Sequence, residues 1–422
     1  MDKAITALTA GDLDGADAAL RSRGDNEETR LDRASLCVIR GDYAGALSLL
    51  GDNQTPRALY LRTFAQIAAA DFDGAWASFC ALRVKAPHHP ELLTLRRMGV
   101  EVANKYGRTF GDWGRQEEIA FMLANANDHS FDAAAKRCQA GDLEEGHRLL
   151  REWAHGEFSS VSAGLRRVPV WDGRKVKRLL IMSIAGLGDA IQFSRFIREA
   201  RQRADHITLA VPQQLIRLLS DVGADEVIAD AGRYASIMKA DAFTTADWTL
   251  WATLDARHYG QTPYLKASPA LDPAKGLRVG LCWNASPQGA AARAAHLEDF
   301  EPLRSLKGIE FHSLVPNQAA AWMQVHRPAD FQDTADVIES MDLVISTDTS
   351  VCHVAGGLNK PTWILVPTFG DWRWQTHETD TAWYPSARLC RRERGETWRD
   401  LVERVARLLD VKRAALRDRR GP

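Results

Sequence analysis

Over the first 155 residues, apolar positions recur at helical spacing and are broken four times by one short polar signature. The copies are Gly11-Asp12-Leu13-Asp14-Gly15-Ala16, Gly41-Asp42-Tyr43-Ala44-Gly45-Ala46, Ala70-Asp71-Phe72-Asp73-Gly74-Ala75 and Gly141-Asp142-Leu143-Glu144-Glu145-Gly146. Glycine ends one helix in a left-handed cap, and the aspartate caps the next. A small residue then lets the paired helices approach, and an apolar residue four places on (Leu20, Leu50, Phe79, Leu150) fills the interface. The pattern predicts stacked helical hairpins, with residues 84–130 breaking the period. Hairpins of this kind bury their faces only by stacking, and together they form a concave surface suited to a protein partner. A structural cap on the following domain is the plainer reading.

After Gly156 the pattern changes. Arg178–Ser183 is an unbroken apolar run, as in a strand buried on both faces, and strands follow at His206–Val211 and Glu226–Ala229. Helices are expected at Ala190–Ala200 and Gln213–Ser220. A second alternation begins at Leu277–Trp283 and continues through Glu310–Leu314, Leu343–Ser346 and Thr362–Val366. Its helices are expected at Asp299–Leu306, Asn317–Val325 and Thr334–Met341. The chain therefore reads as an α-helical repeat region (1–155) followed by two Rossmann-like halves, 168–270 and 275–422, with a hinge near Ser268–Lys275. A last helix, Thr397–Leu409, carries one apolar face (Trp398, Leu401, Val405, Leu408) along which it packs.

Composition narrows the function. The 422 residues carry a net charge of -1, which excludes a general nucleic-acid binder. Six cysteines are scattered without C-x-x-C spacing, and H-E-x-x-H is absent, so neither a disulfide frame nor a zinc site is indicated. There is no basic-then-apolar leader and no run of membrane-spanning length. These features point to a cytoplasmic protein.

Two loops carry candidate chemistry. Strand Leu343–Ser346 runs into Thr347-Asp348-Thr349-Ser350, and a helix begins there with His353 one turn on. The unpaired N–H groups of a helix start can hold an anion. Thr349 and Ser350 add donors, and Asp348 can accept from a sugar hydroxyl. A capped helix is the bland alternative. The other loop, Gly186-Leu187-Gly188-Asp189, fails as a dinucleotide fingerprint. The third glycine would fall at Ile191, and Pro212-Gln213-Gln214 follows Val211 where an acid is needed. A nicotinamide enzyme is disfavoured. Gly186 and Gly188 would let substrate approach the backbone, while Asp189 is either a general base or a helix cap.

The ~30-residue period resembles tetratricopeptide repeats. Gly186-Leu187-Gly188-Asp189-Ala190-Ile191-Gln192-Phe193 and Asp348-Thr349-Ser350-Val351-Cys352-His353, with Phe369-Gly370-Asp371-Trp372-Arg373-Trp374, resemble bacterial tetratricopeptide-repeat glycosyltransferases. That group is related to the heptosyltransferases and O-GlcNAc transferase. The resemblance implies a GT-B fold, metal-independent inverting transfer without a bound cofactor from a nucleotide-sugar held by the C-terminal half, and a last helix, Thr397–Leu409, that crosses back to brace the first sheet. By the same resemblance Asp189 is the catalytic carboxylate. Gly186, Gly188, Gln192, Trp283, Asn284, Arg293, Asp348, Thr349, Ser350, His353 and Arg373 bind substrate. The acceptor is a hydroxyl on a protein such as flagellin, held by the repeat groove. One departure stands out: after Trp283, where the family shows a basic loop ending in Arg-Ser, this chain has Asn284 to Leu297, with Arg293 kept and alanine and His296 in place of Arg-Ser. That leaves two alternatives open, a catalytically silent scaffold and a transferase acting on a glycan or lipopolysaccharide. Trp372 and Trp374 either stack on ligand or pack the seam between the halves.

Overall fold

The computed structural model describes residues 3–111, 121, 131–155, 168–232, 236, 239–254, 259, 261–273, 276–283, 295–376 and 378–418. It divides into two compact units, Met1–Asn125 with Glu393–Thr397, and Ala126–Arg392 with Trp398–Pro422.

The described elements of the first unit are helices: α1 (Lys3–Thr9), α2 (Leu13–Arg21), α3 (Glu27–Arg40), α4 (Tyr43–Leu50), α5 (Pro56–Ala68), α6 (Phe72–Lys85) and α7 (Leu92–Lys105). They pack in successive pairs, α1 on α2, α3 on α4 and α5 on α6. The aspartates of the repeated signature act as caps: Asp12, Asp42 and Asp71 accept from the N–H groups of Gly15, Gly45 and Gly74 at 2.8, 2.9 and 3.1 Å. Those glycines have a local purpose, because a β-carbon at Gly15 would sit 2.1 Å from the Asp12 carboxylate. The small residue at the helix contact is the following alanine, and Ala16, Ala46 and Ala75 are fully buried. Gly41 ends α3 at φ 76°, and Ala70 is forced into the same left-handed region at φ 60°.

The fourth copy of the signature, α8 (Phe131–Gln139) and α9 (Leu143–Trp153), belongs to the second unit. Its Ala133, Ala134, Cys138, Leu149 and Leu150 join the core of two parallel sheets. The first sheet has order β3-β2-β1-β4, with β1 Val176–Met182, β2 Ala204–Val211, β3 Glu226–Ala229 and β4 Ala242–Thr245. The second has order β6-β5-β7-β8-β9, with β5 Leu277–Cys282, β6 Ile309–Ser313, β7 Leu343–Thr347, β8 Thr362–Val366 and β9 Ala387–Arg391. Strand order reverses between β1 and β4 in one sheet and between β5 and β7 in the other. A crevice opens at such a point beyond the carboxyl ends of the strands.

An aromatic seam joins the two sheets. Trp372 stacks on Trp251 at 5.8 Å and 10°, and Trp383 meets Trp251, Phe193 and Tyr259 edge-on. Arg195 is buried in the seam, its guanidinium 4.6 and 4.7 Å from the Tyr264 and Tyr384 rings.

Three sequence expectations are corrected, the first at Gln213–Ser220, where a short 3-10 turn over Gln213–Leu215 runs into turns and not a helix. Residues Asn317–Val325 form turns and not a helix, because Asn317 is left-handed at φ 59° and Gln324 bridges to the strand at His312. The terminal helix, Trp398–Asp418, packs on residues 297–305, β5 and β9, so it braces the second sheet and not the first. Among the described residues, no helix is long and apolar enough to cross a membrane.

Two measurements follow from this architecture. Ala70→Gly relieves a left-handed alanine, so it should raise the stability of the helical unit by about 0.5–1 kcal/mol, read by thermal denaturation. A loss of stability would contradict the cap geometry. His312 is buried on β6 with Nδ1 3.0 Å from His326 Nε2. Burial, with help from the charges of His326 and Arg278, pushes its pKa down to about 4. The unfolded chain takes up this proton near pH 6.5 and the native protein does not, so stability should fall as pH drops from about 6.5 towards 4. His312→Gln should flatten the melting temperature across that window.

Candidate active site

The crevice of the first sheet is built from the carboxyl ends of β1 and β4. Beyond β1 the chain turns into α10 (Leu187–Phe193) with Gly186 as its N-cap, in extended backbone at φ −70°. The Gly186 N–H donates to Asp189 Oδ2 at 2.9 Å, so the capping role of Asp189 is present. Beyond β4, Asp247 caps α11 (Trp248–Thr253), accepting from Thr245 Oγ1 at 2.7 Å and from the Thr249 N–H at 2.8 Å. Burial raises the Asp247 carboxyl above its ordinary pKa, and the charge of Asp189 adds to the shift.

In the second sheet, β7 leads through Asp348 into α13 (Ser350–Gly357), which follows α12 (Phe331–Glu339). The two crevices meet at Gly188. A β-carbon there would lie 2.8 Å from His353 Cδ2 and 3.6 Å from Ser350 Cα. Glycine at this position therefore serves the close packing of α10 on α13.

Arg373 ties the two halves together. It lies in the short helical turn Trp372–Trp374, is buried, and forms an ion pair with Asp189 Oδ1. Its Nη1 reaches Asp371 Oδ1 at 2.8 Å, and its Nε donates to Gln192 Oε1 at 2.6 Å. The guanidinium also lies over the rings of Trp372 (4.7 Å) and Phe193 (5.5 Å). Burial works against its charge, but Asp371, Asp189 and Asp348 outweigh it and raise the pKa, so Arg373 stays protonated. Gln192 is fully buried, and its Nε2 has no hydrogen-bond partner among the described residues.

The remaining expected residues fall in different surroundings. Asp348 is 4% exposed. Thr349 turns its hydroxyl inward as the helix cap, accepting from the Val351 N–H at 3.3 Å and lying 3.1 Å from Ser346 Oγ. His353 stacks on Trp374 at 5.6 Å and pairs Nδ1 with the Tyr384 hydroxyl at 2.7 Å. Asp348, Cys352 and His353 bring potential metal-ligand atoms within 4.8 Å of one another, and Cys352 Sγ already donates to the Thr349 carbonyl at 2.9 Å. Trp283 packs against Phe300 in the core, 4% exposed. Asn284 and Arg293 lie outside the described residues.

A cavity of about 400 Å³ opens at the β5/β7 reversal point, lined by Cys282, Val315, Phe331, Thr349 and Ser350, with Gln214 entering from the first half. Apolar walls ending at a helix start suit a ligand with a flat apolar body and an anionic tail. Ser350 lines this cavity and also packs on Gly188, one residue before Asp189. Sequence reasoning passed over Asp247, Asp371 and Tyr384. The signal for Asp371 was its place just before Trp372-Arg373-Trp374, whereas Asp247 follows a strand that had not been recognised.

No family model matches the chain. Protein FlbA of Caulobacter vibrioides is 24% identical over 428 residues, covering 89% of this chain. The chain spans 65% of that protein's length, less than two thirds. Among solved structures, E. coli heptosyltransferase WaaC with ADP aligns with 56% of this chain and 99% of its own, at TM-score 0.39 and 12% identity. A glycosyl transferase family 9 protein of Veillonella parvula aligns with 58% and 98%, at TM-score 0.43 and 12% identity. Thermobaculum terrenum O-GlcNAc transferase (K341M mutant) aligns with 99% and 91%, at TM-score 0.31 and 12% identity. Similarity at that level carries no weight for chemistry, which rests on the residues of this chain.

Gly188→Ala tests the meeting of the two crevices. The added methyl must displace the His353 ring or part α10 from α13, which should cost about 1–3 kcal/mol. The melting transition of the two-sheet unit should fall accordingly, and an unchanged transition would mean that the helices do not pack as described.

Proposed function

We propose that this protein is a metal-independent inverting glycosyltransferase of the GT-B type, moving a sugar from a nucleoside diphosphate donor to a hydroxyl on a protein such as flagellin. The observation that carries this reading is the apolar cavity at the β5/β7 reversal, which ends at the start of α13, where Ser350 packs on Gly188, the residue before Asp189. The base and ribose occupy the cavity, and the diphosphate lies at the α13 N-terminus, where the helix dipole favours an anion. Arg373 adds a permanent charge, and Asp348 accepts from the sugar.

In the transfer step, Asp189 takes the proton of the acceptor hydroxyl, whose oxygen bonds to the anomeric carbon. The anomeric carbon–oxygen bond to the diphosphate breaks, and the nucleoside diphosphate leaves with the electron pair. The charge that develops on it is stabilised by Arg373 and the helix start. Attack from the face opposite the leaving group inverts the anomeric configuration. The helical repeats hold the acceptor protein, and a cytoplasmic setting belongs to the same proposal.

Calorimetry with ADP, UDP, GDP, CDP and CMP is the direct test. One of them should bind at micromolar affinity, and the matching nucleotide-sugar should release its nucleotide when the acceptor is present. Asp189→Ala should slow that release by roughly 10²–10⁴-fold while nucleotide still binds. Absence of binding across the panel would overturn the donor site, and full turnover by Asp189→Ala would remove the assigned base.

A further inference from the structure

The base assigned to the acceptor is already engaged. Asp189 Oδ2 accepts from the Gly186 N–H at 2.9 Å, and Oδ1 is in an ion pair with Arg373. Nothing in the transfer step above accounts for that pairing. A guanidinium held by the base cannot at the same time be fully committed to a leaving diphosphate.

The anchoring of the two buried arginines differs in kind. Arg195 donates to three backbone carbonyls, those of Gln192, Tyr259 and Trp383, and is stacked between two tyrosines, which makes it part of the scaffold. Arg373 is held through side chains, namely Asp189, Asp371 and Gln192. Side-chain anchors can rearrange without moving either sheet. Asp371 lies two residues away and bonds both the Arg373 backbone N–H (3.1 Å) and Nη1 (2.8 Å), so it can keep the arginine in place while Nη2 changes partner. Close by, Gln192 Nε2 is a buried donor with no partner among the described residues, available to an acceptor atom that enters the site.

Resting on the donor reading above, we propose that Arg373 exchanges partners, pairing with Asp189 while the site is empty and with the diphosphate once donor binds, so that donor binding frees the base. The device makes binding ordered, with donor before acceptor. It also keeps the base occupied when there is no sugar to transfer. Arg373 is then a positioning residue for Asp189 as well as a donor ligand.

A double-mutant cycle on nucleotide affinity tests the exchange. Asp189→Asn keeps the shape of the side chain and removes the competitor for the guanidinium. The nucleoside diphosphate that binds the wild type should bind this variant roughly tenfold more tightly, about 1.4 kcal/mol. The gain should vanish when Arg373→Gln is added. Removing a negative charge would favour any anion, so a gain that persists without Arg373 overturns the exchange, as does no gain at all. Either result leaves the donor reading intact, whereas no binding by wild type or Asp189→Asn at millimolar ADP, UDP, GDP or CDP overturns that reading itself. Arg373→Gln leaves carboxylates without their cation and could unfold the site, so a second measurement uses wild-type protein labelled with ¹⁵N-arginine. The Arg373 Nε–H resonance, assigned by its loss in Arg373→Lys, should shift on saturation with the bound nucleotide. An unmoved resonance overturns the proposal.

Discussion

A single buried guanidinium governs this site. Arg373 is 7% exposed, and burying its charge is tolerable only because Asp371 and Asp189 bond it and Asp348 lies within electrostatic reach. Taking away one partner of such a pair costs about 3–5 kcal/mol, because the other charge is left in a dry environment. Asp371 comes from the same turn as Arg373, Asp189 from the first sheet and Asp348 from the second. The ion cluster therefore records the register of the two halves, and its geometry can form only when both sheets are folded and docked.

Apolar contacts fix where that docking happens. Trp251, Trp372 and Trp383 form one aromatic contact across the seam, and Phe193 at the end of α10 is part of it. The same Phe193 ring lies under the Arg373 guanidinium. Packing and charge thus share residues, so a shift of the seam would move the ion cluster with it. Gly188 sets the closeness of α10 and α13, which decides how far Asp189 stands from the α13 helix start. Asp189 in this way inherits its position from a glycine, an aromatic seam and an arginine.

Much of the fold was readable because its signals were local. Strands Glu226–Ala229 and Thr362–Val366 appear with the expected ends, and the aspartate caps of the repeats lie where the Gly-Asp signature put them. Strand β4 escaped notice because Ala242-Phe243-Thr244-Thr245 looks half polar, although all four residues are buried and pair with β1. Strand β9 escaped because Arg388 and Arg391 interrupt its apolar pattern. The false helix at Asn317–Val325 had helical spacing, but a left-handed asparagine and a bridge to β6 overrode it. At the site, residue types and loop positions were legible, whereas the pairing of Asp189 with Arg373 joins residues 184 positions apart, and sequence periodicity holds no record of it. Trp283 shows the opposite case, a residue conspicuous in sequence that the fold spends on core packing.

The charge balance around Arg373 also bears on the altered loop after Trp283. Three carboxylates, Asp371, Asp189 and Asp348, act on the Arg373 guanidinium at the site proposed for the anionic donor. Under the donor reading proposed above, a diphosphate arriving beside carboxylates needs positive charge to become available to it. Several fixed arginines in a loop could meet that need without any rearrangement. Where the family that the motifs resemble carries Arg-Ser, this chain has alanine and His296. A cation that changes partners supplies charge to the donor and releases the base in one movement.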